Sequence, residues 1–146
     1  MLEIKTEITI NSSKKDVWRV LTDFDKYPEW NPFIQAINGK AEKNNRIRTI
    51  LKLKNRKPAA INPVVRDVIE ETKFEWFGKG PLGMFNGRHY FILEEKKKNE
   101  VQFIHGEFFS GWFMKPVMKK IGESTKEAFI EMNKALKTRV ECISSL

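Results

Sequence analysis

A double change of hydrophobic period limits what this chain can fold into. Residues 2–10, Leu-Glu-Ile-Lys-Thr-Glu-Ile-Thr-Ile, alternate so that Leu2, Ile4, Ile8 and Ile10 share a face, the pattern of a half-buried strand. Asn11-Ser12-Ser13 then offers a helix N-cap, and Val17, Val20, Leu21 and Phe24 recur at helical spacing. Pro28 and Pro32 stop that helix, so residues 25–31 hold at most a second short helix and a turn. From about residue 34 to residue 110 the helical period is gone. Ile47, Thr49, Leu51 and Leu53 alternate with Arg46, Arg48, Lys52 and Lys54, and residues 59–70 read as a strand interrupted near Pro63. Phe74 and Trp76 share a face, and residues 88–93 and 101–109 are two further strands joined by Lys96-Lys97-Lys98-Asn99. Turn signals at such short intervals describe an antiparallel meander. After Gly111 the helical period returns: Val117, Ile121, Ala128, Met132, Leu136 and Val140 mark one long amphipathic helix, weakened early on by Pro116 and Gly122.

The expected architecture is a single α+β domain over residues 1–146. A curved seven-stranded antiparallel sheet wraps a C-terminal helix spanning about residues 112–141, with two short helices between strands one and two. One helix is too narrow to fill a strongly curved sheet, and the sheet cannot leave its apolar face to water. A cavity between helix and sheet is the expected consequence.

Composition narrows the function classes. At 146 residues and 40% hydrophobic the chain can bury a core without staples. No apolar run approaches the roughly 20 residues that span a bilayer, and Met1-Leu-Glu-Ile-Lys-Thr-Glu carries no secretory signal. Cys142 has no partner cysteine for an internal disulfide, so a cytoplasmic location is expected. The net charge of +8 is spread in short pieces that alternate with apolar residues or fall in turns, as on a solvated face. No nucleic-acid module is visible, so no specific nucleic-acid partner is expected; a peripheral contact of the basic face with an anionic surface stays open.

Cofactor signatures are missing as well, and none is expected. Gly78, Gly80 and Gly83 surround Pro81 as a hairpin connection and not as a phosphate loop. There is no Gly-x-Ser-x-Gly elbow, and Cys142 lacks a neighbouring His. Asp23 and Asp25 lie at a helix end, and Met114, Met118 and Met132 read as adaptable packing.

The order of elements, together with Val17-Trp18 through Asp23, Tyr27-Pro28-Glu29-Trp30-Asn31-Pro32-Phe33, Gly87-Arg88-His89-Tyr90-Phe91, His105-Gly106-Glu107-Phe108-Phe109-Ser110-Gly111 and Phe129 through Lys137, resembles the Bet v 1-like or START-like (SRPBCC) superfamily. The resemblance covers essentially the whole chain and is nearest to the bacterial polyketide cyclase/dehydrase and lipid-transport type. It implies the helix-grip fold, with the two short helices forming one wall of a cavity entrance. Tyr27, Trp30 and Phe33 then either plug the end of the barrel or form a rigid lip that meets a ligand. Because this fold hosts carriers, receptors, cochaperones and cyclases, it says little about which activity is present.

Strand alternation sets Val101, Phe103, His105, Glu107 and Phe109 on one face, and His89, Phe91 and Leu93 on one face of the strand before. The resemblance turns these faces toward the cavity. That brings the chain's two histidines, His89 and His105, beside Glu107. A His with a carboxylate in an apolar pocket can act as acid and base, or each can simply satisfy the other. The spacing is not that of a compact metal site, so no metal is expected. Two function classes follow. The first is a binding or carrier protein for a hydrophobic small molecule (lipid, polyketide-like or aromatic) contacting Trp30, Phe33, Trp76, His89, Phe91, Phe103, His105, Glu107, Phe109 and Met132. The second is a cyclase or dehydratase with His89 and Glu107 as acid and base. Few ionisable residues fall on inward positions, which favours binding.

Overall fold

The alternation at the start of the chain forms β1 (Leu2–Ile10), with Ile4, Thr6 and Ile10 buried. The structure, a computed structural model, describes residues 1–144. Ser13 caps α1 (Lys14–Thr22), its hydroxyl accepting the Asp16 N–H at 3.2 Å, and the helix buries Val17, Val20 and Leu21. A single 3-10 turn over Phe24–Lys26 leads into α2 (Tyr27–Trp30). Pro28 falls in the first turn of α2, where a missing N–H costs nothing.

Eight strands follow from the alternation: β1, then β2 (Ile34–Asn38), β3 (Arg48–Leu51), β4 (Ala59–Ile61), β5 (Val64–Ile69), β6 (Lys73–Lys79), β7 (Asn86–Lys97) and β8 (Glu100–Ser110). They form two antiparallel sheets. One has five strands in the order β1-β8-β7-β6-β5, and the other has three in the order β2-β3-β4. Two expectations are corrected here: eight strands replace seven, and residues 46–54 and 101–109 belong to different hydrogen-bonded sheets. The cause is Pro63. Thr49 pairs with Ile61, so the next rung of the ladder would join Ile47 to Pro63. Ile47 gives its N–H to the Pro63 carbonyl at 2.9 Å, but Pro63 has no N–H to return. The strand over residues 59–69 therefore breaks into β4 and β5 and passes from one sheet to the other. Further bonds stitch the seam, Val65 N–H to Asn45 O and Asn44 N–H to Val65 O, each at 2.8 Å.

The long helix α3 runs from Met114 to Ser144 and packs on β1, β8 and α1. Pro116 lies in its first turn and neither it nor Gly122 interrupts the helix. Its buried face is Met114, Met118, Thr125, Phe129, Met132, Asn133, Leu136 and Val140. Val117, Ile121 and Ala128, expected on that face, flank it half-buried. Two polar residues, Thr125 and Asn133, lie on the buried stripe, and an apolar count passes over them. Phe74, Phe91, Phe103, Phe129, Met132 and Leu136 meet between helix and sheet as a closed core.

Candidate functional site

Antiparallel pairing puts His89 on β7 directly opposite Glu107 on β8, and Phe91 opposite His105. Successive inward positions of β8 therefore carry Phe103, His105 and Glu107 along one line. His89 Nδ1 lies 3.0 Å from Glu107 Oε1, and its Nε2 lies 2.8 Å from His105 Nε2. His105 Nδ1 lies 2.8 Å from Asn133 Oδ1 on α3. Asn133 Nδ2 donates to Thr6 Oγ1 at 2.8 Å, and Thr6 Oγ1 donates to the His105 carbonyl at 2.8 Å. Ring stacking fixes both imidazole planes, His89 against Trp76 at 4.8 Å and His105 against Phe129 at 4.1 Å.

The far end of this chain sets its polarity. Because Thr6 donates to a carbonyl, its oxygen takes the Asn133 amide hydrogen, so Asn133 turns its own oxygen to His105 Nδ1. That nitrogen must carry hydrogen. A neutral His105 is then bare at Nε2 and accepts from His89 Nε2–H. A neutral His89 is in turn bare at Nδ1, so Glu107 must be the donor, as a carboxylic acid. Burial argues independently for the same state. It pushes the His89 imidazolium down to about 3, holds His105 well below the ordinary histidine range, and pushes the Glu107 carboxyl up to about 8. Burial therefore favours the neutral form of all three groups. The four ring nitrogens are engaged with each other, Glu107 and Asn133, which leaves none directed at a metal.

Glu107 is the end of the chain that reaches open space. Its side chain is 16% exposed and lines a half-open cavity of about 640 Å³. The floor is Phe33, Trp76, Phe109 and Thr125; the exposed rim includes Arg56, Lys57, Ala60, Lys79 and Pro81. The second carboxyl oxygen lies over Gly87, where a Cβ would collide with it. A second cavity of about 520 Å³ opens between Lys52, Lys54 and the α3 residues Ser124, Glu127 and Glu131, and Phe33 borders both.

Of the residues singled out in the sequence, Phe33, Trp76, Glu107 and Phe109 line the larger cavity. His89 and His105 stand behind Glu107, buried. Phe91, Phe103 and Met132 are packed in the core away from that wall. The aromatic turn divides its work. Tyr27 is buried edge-on to Phe24 and Trp30, whereas Phe33 reaches the cavities. Sequence reasoning missed Thr6, Gly87 and Asn133. Thr6 did leave a trace, a polar residue between Ile4 and Ile8 on an otherwise apolar face.

Solved structures resemble this one over nearly their whole length. A START superfamily protein from Mycobacterium smegmatis superposes with a TM-score of 0.74 at 18% identity, covering 97% of this chain and 98% of that one. The Zhui aromatase/cyclase of a Streptomyces species gives 0.77 at 11% identity, with 96% and 93% covered. A Thermus thermophilus protein gives 0.75 at 15% identity, with 98% and 99% covered. Identities this low show a shared fold. No curated protein sequence matches the chain. The sequence pattern of the polyketide cyclase/dehydrase and lipid transport family matches residues 1–141, and the chain belongs to that family.

Proposed function

We propose that this protein binds a hydrophobic small molecule in the cavity between the sheets and α3, with Glu107 as its one polar anchor at depth. A single observation carries the reading: apart from Thr125 the cavity floor is aromatic, and the one carboxyl that lines the cavity, Glu107, is buried against His89. The Glu107 hydroxyl points at His89, so the cavity meets the other oxygen, an acceptor. A lipid, polyketide-like or aromatic molecule bearing a hydroxyl suits that environment.

The hydrogen bond between Glu107 and His89 favours one alternative, a cyclase or dehydratase in which the pair moves a proton; two structural relatives are named as cyclases. The chain behind the pair ends at Asn133, an amide that takes up no proton. A proton arriving on His89 could pass no farther than His105, leaving a buried imidazolium in either place, which supports the anchor over the acid–base role.

A solvatochromic dye tests the reading. Saturable binding with a blue-shifted emission is expected, and Ile121→Trp, which fills the cavity from the half-buried flank of α3, should weaken it by about tenfold or more. A parent protein that binds no dye and carries no small molecule in native mass spectra from its own host would contradict it.

A further inference from the structure

Three large apolar side chains are left in water at one end of the molecule. Leu82 is 89% exposed, Trp112 69% and Phe113 44%. They come from two loops, residues 80–85 between β6 and β7 and residues 111–113 between β8 and α3, which the fold ties into one tip. The Trp112 indole N–H donates to the Leu82 carbonyl at 3.3 Å, and Phe113 N–H donates to the Met84 carbonyl at 2.8 Å. Gly111, at φ 111°, permits that approach, because a Cβ there would strike the Gly83 and Met84 carbonyls. Pro81 and Phe85 of the same loop line the larger cavity, so the tip stands at its mouth.

The segments that carry the tip or line the cavity are also rich in cations. Segments 53–61, 76–87 and 108–122, each of which lines the cavity or carries the tip, hold seven of the chain's 27 Lys and Arg and no Asp or Glu, although Glu107, next to the last of them, also lines the cavity. The seven are Lys54, Arg56, Lys57, Lys79, Lys115, Lys119 and Lys120, and the rest of the chain is left almost neutral. Among the described residues none of the seven is ion-paired, whereas nine of the other 20 Lys and Arg are.

We propose that this tip and its cations seat the cavity mouth on an anionic lipid bilayer. A small protruding cluster of Leu, Trp and Phe suits insertion among headgroups, where an indole is favoured. Cations around it add attraction to an anionic surface within a Debye length. A protein partner would instead be matched by a broader, flatter apolar patch, and a nucleic acid would gain nothing from an aliphatic Leu82. No described helix is long and apolar enough to cross a membrane, so the contact is peripheral. Docking in this pose would open the cavity toward lipid. The proposal does not depend on the cavity being occupied.

Cosedimentation of the full chain with phosphatidylcholine vesicles, with and without phosphatidylglycerol, tests it. Binding should require the anionic lipid, weaken with salt, and fall by about tenfold or more in Leu82→Ser/Trp112→Ser. Both positions are exposed, so the variant should keep the parent's thermal stability. The vesicle-induced blue shift of the parent should be lost in Trp112→Phe. The proposal is overturned by no binding to anionic vesicles, or by binding that the double variant leaves intact. It is equally overturned if the tip proves to mediate self-association, or retention on duplex DNA, in place of vesicle binding.

Discussion

With its hydroxyl held by His89 Nδ1, Glu107 presents the cavity with an acceptor oxygen and no charge, and this state makes stability depend on pH. Burial raises its proton affinity from the ordinary 4.5 to about 8. The neutral acid therefore contributes stability that is complete below about 4.5 and lost as the pH climbs through 8. His89 works in the opposite direction, lowered from 6.5 to about 3, so its contribution is present above 6.5 and lost as the pH falls through 3. His105, also held below 6.5 by burial, adds a slope of the same sign as that of His89, so between 4.5 and 6.5 the two histidines oppose Glu107, and only the slope of Glu107 remains from 6.5 to 8. Unfolding free energy should fall there by up to about 1.4 kcal/mol per pH unit. Glu107→Gln, whose amide can donate the same bond to His89 without titrating, should flatten the alkaline slope and cost less than about 1 kcal/mol at pH 6. Urea denaturation across that pH range gives both values. Were the variant to keep the parent's slope, another group would be responsible. Alternation put His105 and Glu107 on one face, since strand parity fixes which side chains share a face, and the family resemblance turned His89 toward the same cavity. Alternation could not supply Asn133, which reaches the site from α3, and the polarity of the whole chain rests on that residue.

At the scale of elements, the pairing of β7 with β8 makes the site possible, and it needs a gap at Gly87. The Glu107 carboxyl lies where a side chain on β7 would project. Gly87→Ala should push the carboxyl off His89 and destabilise the protein by about 1–3 kcal/mol, with the alkaline slope reduced as well. A variant that melts like the parent and keeps its pH profile would show that the carboxyl has another resting place. Element boundaries were largely legible in the sequence because period changes are sharp at residues 34 and 111. The division into two sheets was not. Pro63 marked an interruption, but whether a strand bends or changes sheets depends on the partner across from it, here Ile47. For α3, counting apolar residues selected Val117, Ile121 and Ala128, on the flank of the buried stripe, and omitted Met118, Phe129 and Asn133.

On the scale of the whole molecule, core and cavity are separate spaces. Phe91, Phe103 and Met132 close the middle of the fold, and the open volume lies beyond Trp76 and Phe109, toward the cationic end. The sequence could announce a curved sheet around one helix, and hence a cavity, without saying which aromatics fill the interior and which face the opening. That depends on how far α3 reaches along the sheet. The most direct measurement is a titration of the uniformly 15N-labelled protein with a solvatochromic dye, followed by amide and indole shifts. Saturable changes are predicted at Phe33, Gly87, Glu107, Phe109, Ile121, Thr125 and the Trp76 indole, with Phe91, Phe103 and Met132 nearly still. Largest changes at those three core residues, or no saturable change anywhere, would contradict a ligand cavity floored by Trp76 and Glu107.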